Sequence, residues 1–91
     1  MELAELIAIA SVRSGKTRGV MAKEMGHKSQ SRISRLSAGQ LVPEASEIVY
    51  LAHEAKLPEM QTLAEIEAER HPQFAKMWKA ILQQKDKAPM K

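Results

Sequence analysis

T-R-G-V-M-A-K-E-M-G-H-K-S-Q-S-R-I-S-R-L-S-A-G, residues Thr17 to Gly39, holds two short helical patterns hinged at Gly26. Thr17 is a good N-cap for a helix through about Met25, because its hydroxyl can accept from a first-turn N–H that has no partner inside the helix. The inward residues of that helix are Val20 or Met21, Ala22 and Met25. Gly26 closes it by supplying the left-handed conformation favoured just past a helix C-terminus. Ser29 can cap a following helix to about Ser37 that buries Ile33 and Leu36, and Gly39 stops it in the same way. Basic and small polar residues crowd the second helix. A small residue where two helices meet, a reversal, and an outward polar face on the second helix are what a helix-turn-helix DNA reader needs.

Working outward from this block, the chain predicts helices and no strands. Residues 2–13 place Leu3, Leu6, Ile7 and Ala10 on one stripe, and Ser14-Gly15 ends that helix. Pro43 and Pro58 each precede a helical pattern, where a missing N–H costs nothing. The first of these, about 44–56, buries Ile48, Leu51, Ala52 and Ala55. The next, about 58–70, buries Met60, Leu63 and Ile66 and shows an acidic face of Glu65, Glu67 and Glu69. Beyond Pro72, a final amphipathic helix over about 72–84 carries Phe74, Met77, Trp78, Ile81 and Leu82. The expected architecture is all-α, five to six short helices in a single domain over residues 1–84, with 85–91 a flexible tail.

Composition bounds the function classes. Ninety-one residues with 44% hydrophobic content suffice for one core. There is no cysteine, which excludes disulfides and thiolate metal sites. The longest apolar stretch, Leu6 to Ala10, is far short of the roughly 20 residues of a membrane span, and the acidic start is wrong for a signal peptide. A soluble, cytoplasmic protein is expected, nucleoid-associated when bound, with no membrane partner. The net charge of +3 is unevenly spread: residues 11–40 hold seven bases against Glu24 alone, whereas residues 41–72 hold seven acids against Lys56 and Arg70. The basic block coincides with the helix-turn-helix pattern, where DNA phosphates would lie.

Within that block the outward face of the second helix carries Gln30, Ser31, Ser34 and Arg35, the candidate base-reading residues. Gln offers a bidentate match to adenine and Arg to guanine. Arg13, Lys16, Thr17, Arg18, Lys28 and Arg32 are the candidate phosphate contacts.

The block resembles the lambda-repressor-like (Xre and Cro type) helix-turn-helix family over about residues 3–70. The resemblance rests on Thr17-Arg18 opening the second helix of the domain, Met21-Ala22, Gly26 at the turn, Ile33-Ser34 in the reading helix, Gly39 at its end, Pro43, and the Leu51-Ala52 and Leu57 run. Leu63-x-x-Ile66-x-x-Glu69-Arg70 and the Trp78-bearing helix look like short phage-encoded members. The resemblance implies a regulator that binds operator DNA as a homodimer, usually to repress transcription, with Gln30, Ser31 and Arg35 at base-reading positions and Arg18 at a phosphate- or base-contacting one. Two departures stand out. The spacing from Gly26 to Ile33 is seven where the family usually shows six, which places one extra residue around His27, Lys28 and Ser29. The family's paired Arg and Glu are replaced by Ser11 and Ser37, so that neither strands the other.

Other chemistries find little support. Gly15-Lys16-Thr17 lacks the upstream glycine of a phosphate-binding loop, with Ala10 in its place. His27, His53 and His71 have no second ligand at helical spacing, so no metal or other cofactor is expected. Ser31 and Ser34 have no His and carboxylate organised around them, so no enzyme is expected. Met21, Met25, Met60 and Met77 fall on apolar stripes and read as core. The alternative function is a protein-interaction module on the same scaffold, such as an antirepressor, a host-takeover factor or an autoregulating antitoxin. Its docking surfaces would be the Glu65, Glu67 and Glu69 face and the Trp78 stripe, and Phe74, Met77, Trp78, Ile81 and Leu82 form the candidate dimer or partner interface in either case.

Overall fold

The computed structural model describes residues 1–87, and the side chains up to Gln83. Its elements are α1 (Leu3–Ser14), α2 (Arg18–Glu24), α3 (Ser31–Ser37), α4 (Ala45–Glu54), α5 (Glu59–Arg70), a single 3₁₀ turn at Pro72–Phe74, and α6 (Ala75–Lys87). No strand occurs among the described residues. α6 continues through 85–87, the first residues of the expected tail, and the rest of that tail, 88–91, lies outside the described residues.

The boundaries follow from local chemistry. Thr17 Oγ1 accepts from Val20 N at 3.2 Å and so starts α2. Three helices end in the same doubly bonded stop, which satisfies two orphan carbonyls at each end. In α2, Gly26 N donates to Lys23 O and His27 N to Ala22 O; in α3, Gly39 N donates to Leu36 O and Gln40 N to Arg35 O. Gly26 (φ 89°) and Gly39 (φ 77°) take the left-handed conformation this requires. α4 stops identically through Lys56 N to His53 O and Leu57 N to Ala52 O, but with a lysine at φ 60°.

One core forms where α1, α2, α3 and α4 meet. Leu6, Ile7 and Ala10 of α1, Met21 and Ala22 of α2, Ile33 and Leu36 of α3, and Ile48, Leu51 and Ala55 of α4's end of the bundle are all buried together. At α2 the choice between Val20 and Met21 falls to Met21, and Val20 is exposed. α5 adds Ile66 to this cluster, with Leu63 partly buried beside it. Met60 was expected inside but is 41% exposed, and Thr62 and Ala64 are buried instead. α5 turns Thr62 and Ile66, one helical turn apart, inward. Met60, two residues before Thr62, then lies about 200° around the helix.

α6 packs on α5 and stands outside the core. The expected single stripe divides: Trp78 and Leu82 are half-buried, while Phe74, Met77 and Ile81 remain exposed. Among the described residues no helix is long and apolar enough to cross a membrane.

Candidate nucleic-acid interface

α3 is seven residues long, too short to hold its shape alone, and is fixed by the burial of Ile33 and Leu36 on its inner side. Its N-terminal residues and the preceding turn then line an open groove of about 550 Å³, formed by Gly26, His27, Lys28, Ser29, Ser31, Arg32, Arg35 and Leu41. Gln30, not Ser29, is the N-cap, and its side chain makes no capping bond. Ser29 works one residue earlier, its Oγ accepting from Ser31 N at 3.3 Å. The Gln30 carboxamide is thereby left over, and it lies across the first turn of α2: a Cβ added to Gly19 would stand 3.9 Å from Gln30 Oε1 and 3.8 Å from Thr17 Oγ1. Arg18 Nη2 meets Ser37 Oγ at 3.4 Å, so the first turn of α2 is flanked by both ends of α3.

The basic residues of this region divide into two groups. Lys28 and Arg35 are exposed and have no ion-pair partner among the described residues. Arg32, by contrast, turns toward α4. Its Nε donates to Glu47 Oε2 at 2.6 Å and its Nη2 to Glu47 Oε1 at 2.8 Å, and Nη2 also reaches Val42 O at 3.4 Å. Glu47 is 4% exposed and fully engaged, since its Oε1 accepts from Glu44 N at 2.8 Å and its Oε2 lies 2.8 Å from His27 Nε2. The Arg32 guanidinium, helped by the Glu44 N–H and His27 and opposed by burial, holds the Glu47 carboxyl down at about 2. The same pairing raises Arg32. Its charge is cancelled inside the protein, so the expected phosphate contact is first a strut between α3 and α4.

Two more of the expected phosphate contacts have internal partners. Lys16 Nζ lies between Glu24 Oε1 at 2.8 Å and Glu54 Oε1 at 2.9 Å, and these bonds raise its pKa. Glu24 also accepts from the Tyr50 hydroxyl and is lowered by Lys16 first and Tyr50 second, while burial and then Glu24 raise the Tyr50 phenol. Arg13 Nη1 donates to Ala55 O at 2.9 Å, satisfying a carbonyl at the end of α4, and Arg13 lines a separate apolar groove with Ala8, Ile9 and Val12. Thr17 is occupied as the α2 cap. Of the six, Lys28 and Arg18 retain most of their donor capacity. The structure brings Lys28, Ser31 and Arg35 to one groove, with Gln30 beside α2 and Ser34 half-buried on α3.

Sequence reasoning missed Glu47 and the inward role of His27. A signal was present: Glu44-x-x-Glu47 after Pro43 is an acidic variant of the reciprocal cap at a helix start, and an acid there is placed to receive a cation from a neighbouring helix. The Ser11 and Ser37 positions carry hydrogen bonds in place of charge, Ser11 Oγ donating to Lys16 O at 2.7 Å. The three histidines have separate neighbours: His27 meets Glu47, His53 meets Glu59 at 3.0 Å, and His71 lies edge-on to Phe74. Set against protein-family models, curated proteins and solved structures, the chain matches none of them.

Proposed function

We propose that the chain is a sequence-specific double-stranded DNA-binding regulator of transcription, acting by occupying its operator, in which α2 and α3 form a helix-turn-helix and α3 enters the major groove. The observation that carries this reading is the pairing of two opposite faces on one seven-residue helix: Ile33 and Leu36 are locked in the core while Ser31 and Arg35, with Lys28 in the turn before them, border an open groove with unneutralised charge. A helix presented this way suits base-edge contact, since its register is fixed by the protein and its polar side chains are free to move. Gln30, Ser31, Ser34 and Arg35 read bases in this proposal, and Lys28 and Arg18 hold phosphates. Arg13, Lys16 and Arg32 act mainly in holding α1, α2, α3 and α4 together.

That allocation changes the expected salt dependence. With about two to three phosphates neutralised per protomer, rather than five, log K should fall by about 2 to 3 per decade of salt. The test is selection of bound duplexes from a random pool at near-physiological salt, followed by titration of the winner against scrambled DNA. Enrichment of one site, bound on the order of a thousandfold tighter than scramble, supports the reading. Weak, salt-sensitive and sequence-blind binding overturns it in favour of a protein-interaction module, to which the exposed α6 stripe would then belong.

A further inference from the structure

We propose that His27 is a proton-gated contact for nucleic-acid phosphate, silent when its ring is neutral and a donor into the α3 groove when its ring is protonated. The inference rests on the reading of that groove as a nucleic-acid interface and adds a regulation to it. His27 helps to close α2, its backbone N–H donating to Ala22 O at 2.8 Å, and this places its ring in the turn before α3. One ring nitrogen is in use: Nε2 lies 2.8 Å from Glu47 Oε2. Glu47, held at about 2 chiefly by Arg32, is ionised at neutral pH, and a carboxylate only accepts, so Nε2 carries a hydrogen and donates. In the neutral ring this leaves Nδ1 as a lone pair. Nδ1 has no hydrogen-bond partner among the described residues and is not buried, so solvent reaches it. His27 lines the groove together with Lys28, Ser31 and Arg35.

Charge decides what such a nitrogen can do. The charged groups of the elements around the ring are Lys23 and Glu24 of α2, Lys28 of the turn, Arg32 and Arg35 of α3, and Glu44 and Glu47 at the start of α4; of these, Glu47 is the one in hydrogen-bond contact with it. At the far end of α4, Glu54 pairs with Lys16 and His53 with Glu59. Glu24 is already taken by Lys16 and Tyr50, and Glu47 by Arg32, while Glu44 is exposed. A proton on Nδ1 therefore adds a positive charge to a groove in which Lys28 and Arg35 have no ion-pair partner among the described residues. A phosphate oxygen can only accept. The lone pair of the neutral ring repels it, and the protonated ring gives it a charge-assisted hydrogen bond. Histidine is the side chain that makes this change between pH 8 and 5. By linkage, a phosphate that prefers the protonated ring draws in a proton on binding, so affinity rises as pH falls through that range.

A phosphate contact is blind to sequence, so the probe is a labelled duplex of scrambled sequence, titrated at constant ionic strength from about pH 8 to about pH 5.5. Wild-type affinity should rise by about three- to tenfold per protomer over that range. His27→Gln keeps an amide donor for Glu47 but has no proton to take up: it should bind as wild type does at the alkaline end and stay flat on acidification. His53→Gln, outside the groove, should keep the wild-type rise. Calorimetry of the wild-type protein on the same duplex, in buffers of different ionisation enthalpy, should read net proton uptake of at most about one per protomer, and this needs no variant to fold. A wild-type affinity that is flat with pH, an absence of proton uptake, or a rise that survives in His27→Gln each overturns the proposal. Base selection is judged separately, by the ratio of selected to scrambled affinity. Selective binding without pH dependence therefore removes the gate and leaves the sequence-specific regulator standing, whereas pH-dependent binding without selectivity does the reverse. No binding of the duplex at any pH overturns both.

Discussion

α3 and α6 use amphipathicity in opposite ways. α6 is nearly twice as long and has the cleaner apolar stripe, yet none of its described side chains is buried. α3 has seven residues, and two of them, Ile33 and Leu36, are at 0% and 1% exposure. A stripe fixes a helix only when it points at the centre of the molecule. α3 points there from between α1 and α2, and the Arg32 strut to Glu47 prevents it from turning. α6 packs on α5 and the 3₁₀ turn before it, and α5's own share of the central cluster is Ile66. One helix is held in a fixed orientation by what it buries, and the other keeps most of its apolar stripe exposed.

The largest test of this contrast is the same substitution made on each helix. Ile33→Ala removes a fully buried side chain and should destabilise the protein by about 3–4 kcal/mol, enough to unfold much of a domain this small. Ile81→Ala should cost less than about 1 kcal/mol in dilute solution, because the side chain is 40% exposed before the change. Chemical denaturation at low and high protein concentration checks both. Equal losses at the two positions would dissolve the contrast, whereas a loss at Ile81 that grows with concentration would sharpen it, placing that side chain between copies.

Next in size is the Arg32 and Glu47 strut. Glu47 is held at about 2 in the folded chain against an ordinary 4.5, so the unfolded state binds its proton more readily. The stabilisation it supplies is complete above about pH 4.5 and is lost as pH falls through about 2. The interval corresponds to about 3 kcal/mol. Glu47→Gln should lower stability at neutral pH by about 2–3 kcal/mol and flatten the acid limb of the stability curve between those two values. An acid limb as steep as wild type would show that other carboxylates carry it. The described residues of α6 show no equivalent buried ion pair, and a Lys79→Glu change should leave this acid limb as it is.

Much of α1 to α4 was readable from residue pattern, because what decides these helices is local: the Thr17 cap, the left-handed glycines at 15, 26 and 39, and stripes such as Leu6, Ile7 and Ala10 or Ile48, Leu51 and Ala52. Facing was harder to read where a helix has more than one apolar side. Met60 and Thr62 exchanged places because the docking of α5 on α4, not its composition, chose the buried side. Charge partners were least readable. Arg32 and Glu47 are fifteen residues apart, and Lys16 and Glu54 thirty-eight, so sequence shows each base as an available cation and only packing shows which are already taken. Among the candidate site residues, free charge was therefore overcounted.

That overcount bears on the proposed DNA face. Arg35→Ala should reduce affinity for the selected site by about 1–3 kcal/mol and relax base choice at one position. Lys28→Ala should weaken selected and scrambled DNA alike and lower the salt slope by about 1. Lys16→Ala, although it also removes a positive charge, should leave the salt slope near wild type, since that charge is already held by Glu24 and Glu54. A salt slope that falls equally for Lys16 and Lys28 would mean the internal pairs open on DNA.

The smallest effect compares the stops that close the two halves. Gly39 ends the anchored α3, and Lys56 ends α4 at the point where the chain turns toward α5 and α6; both residues are left-handed, at φ 77° and 60°. A Cβ on Gly39 would meet nothing within 4 Å, so Gly39→Ala carries only the backbone penalty of about 1–2 kcal/mol. Lys56→Gly relieves a similar penalty but frees the unfolded chain, and the two oppose, which leaves a gain below about 1 kcal/mol. Thermal unfolding of the two variants should therefore move in opposite directions, with the loss at Gly39 exceeding the gain at Lys56. If Lys56→Gly instead lowers stability, the chain turn into α5 depends on the stiffness of a non-glycine residue, and the seating of Ile66 in the core is sensitive to that turn.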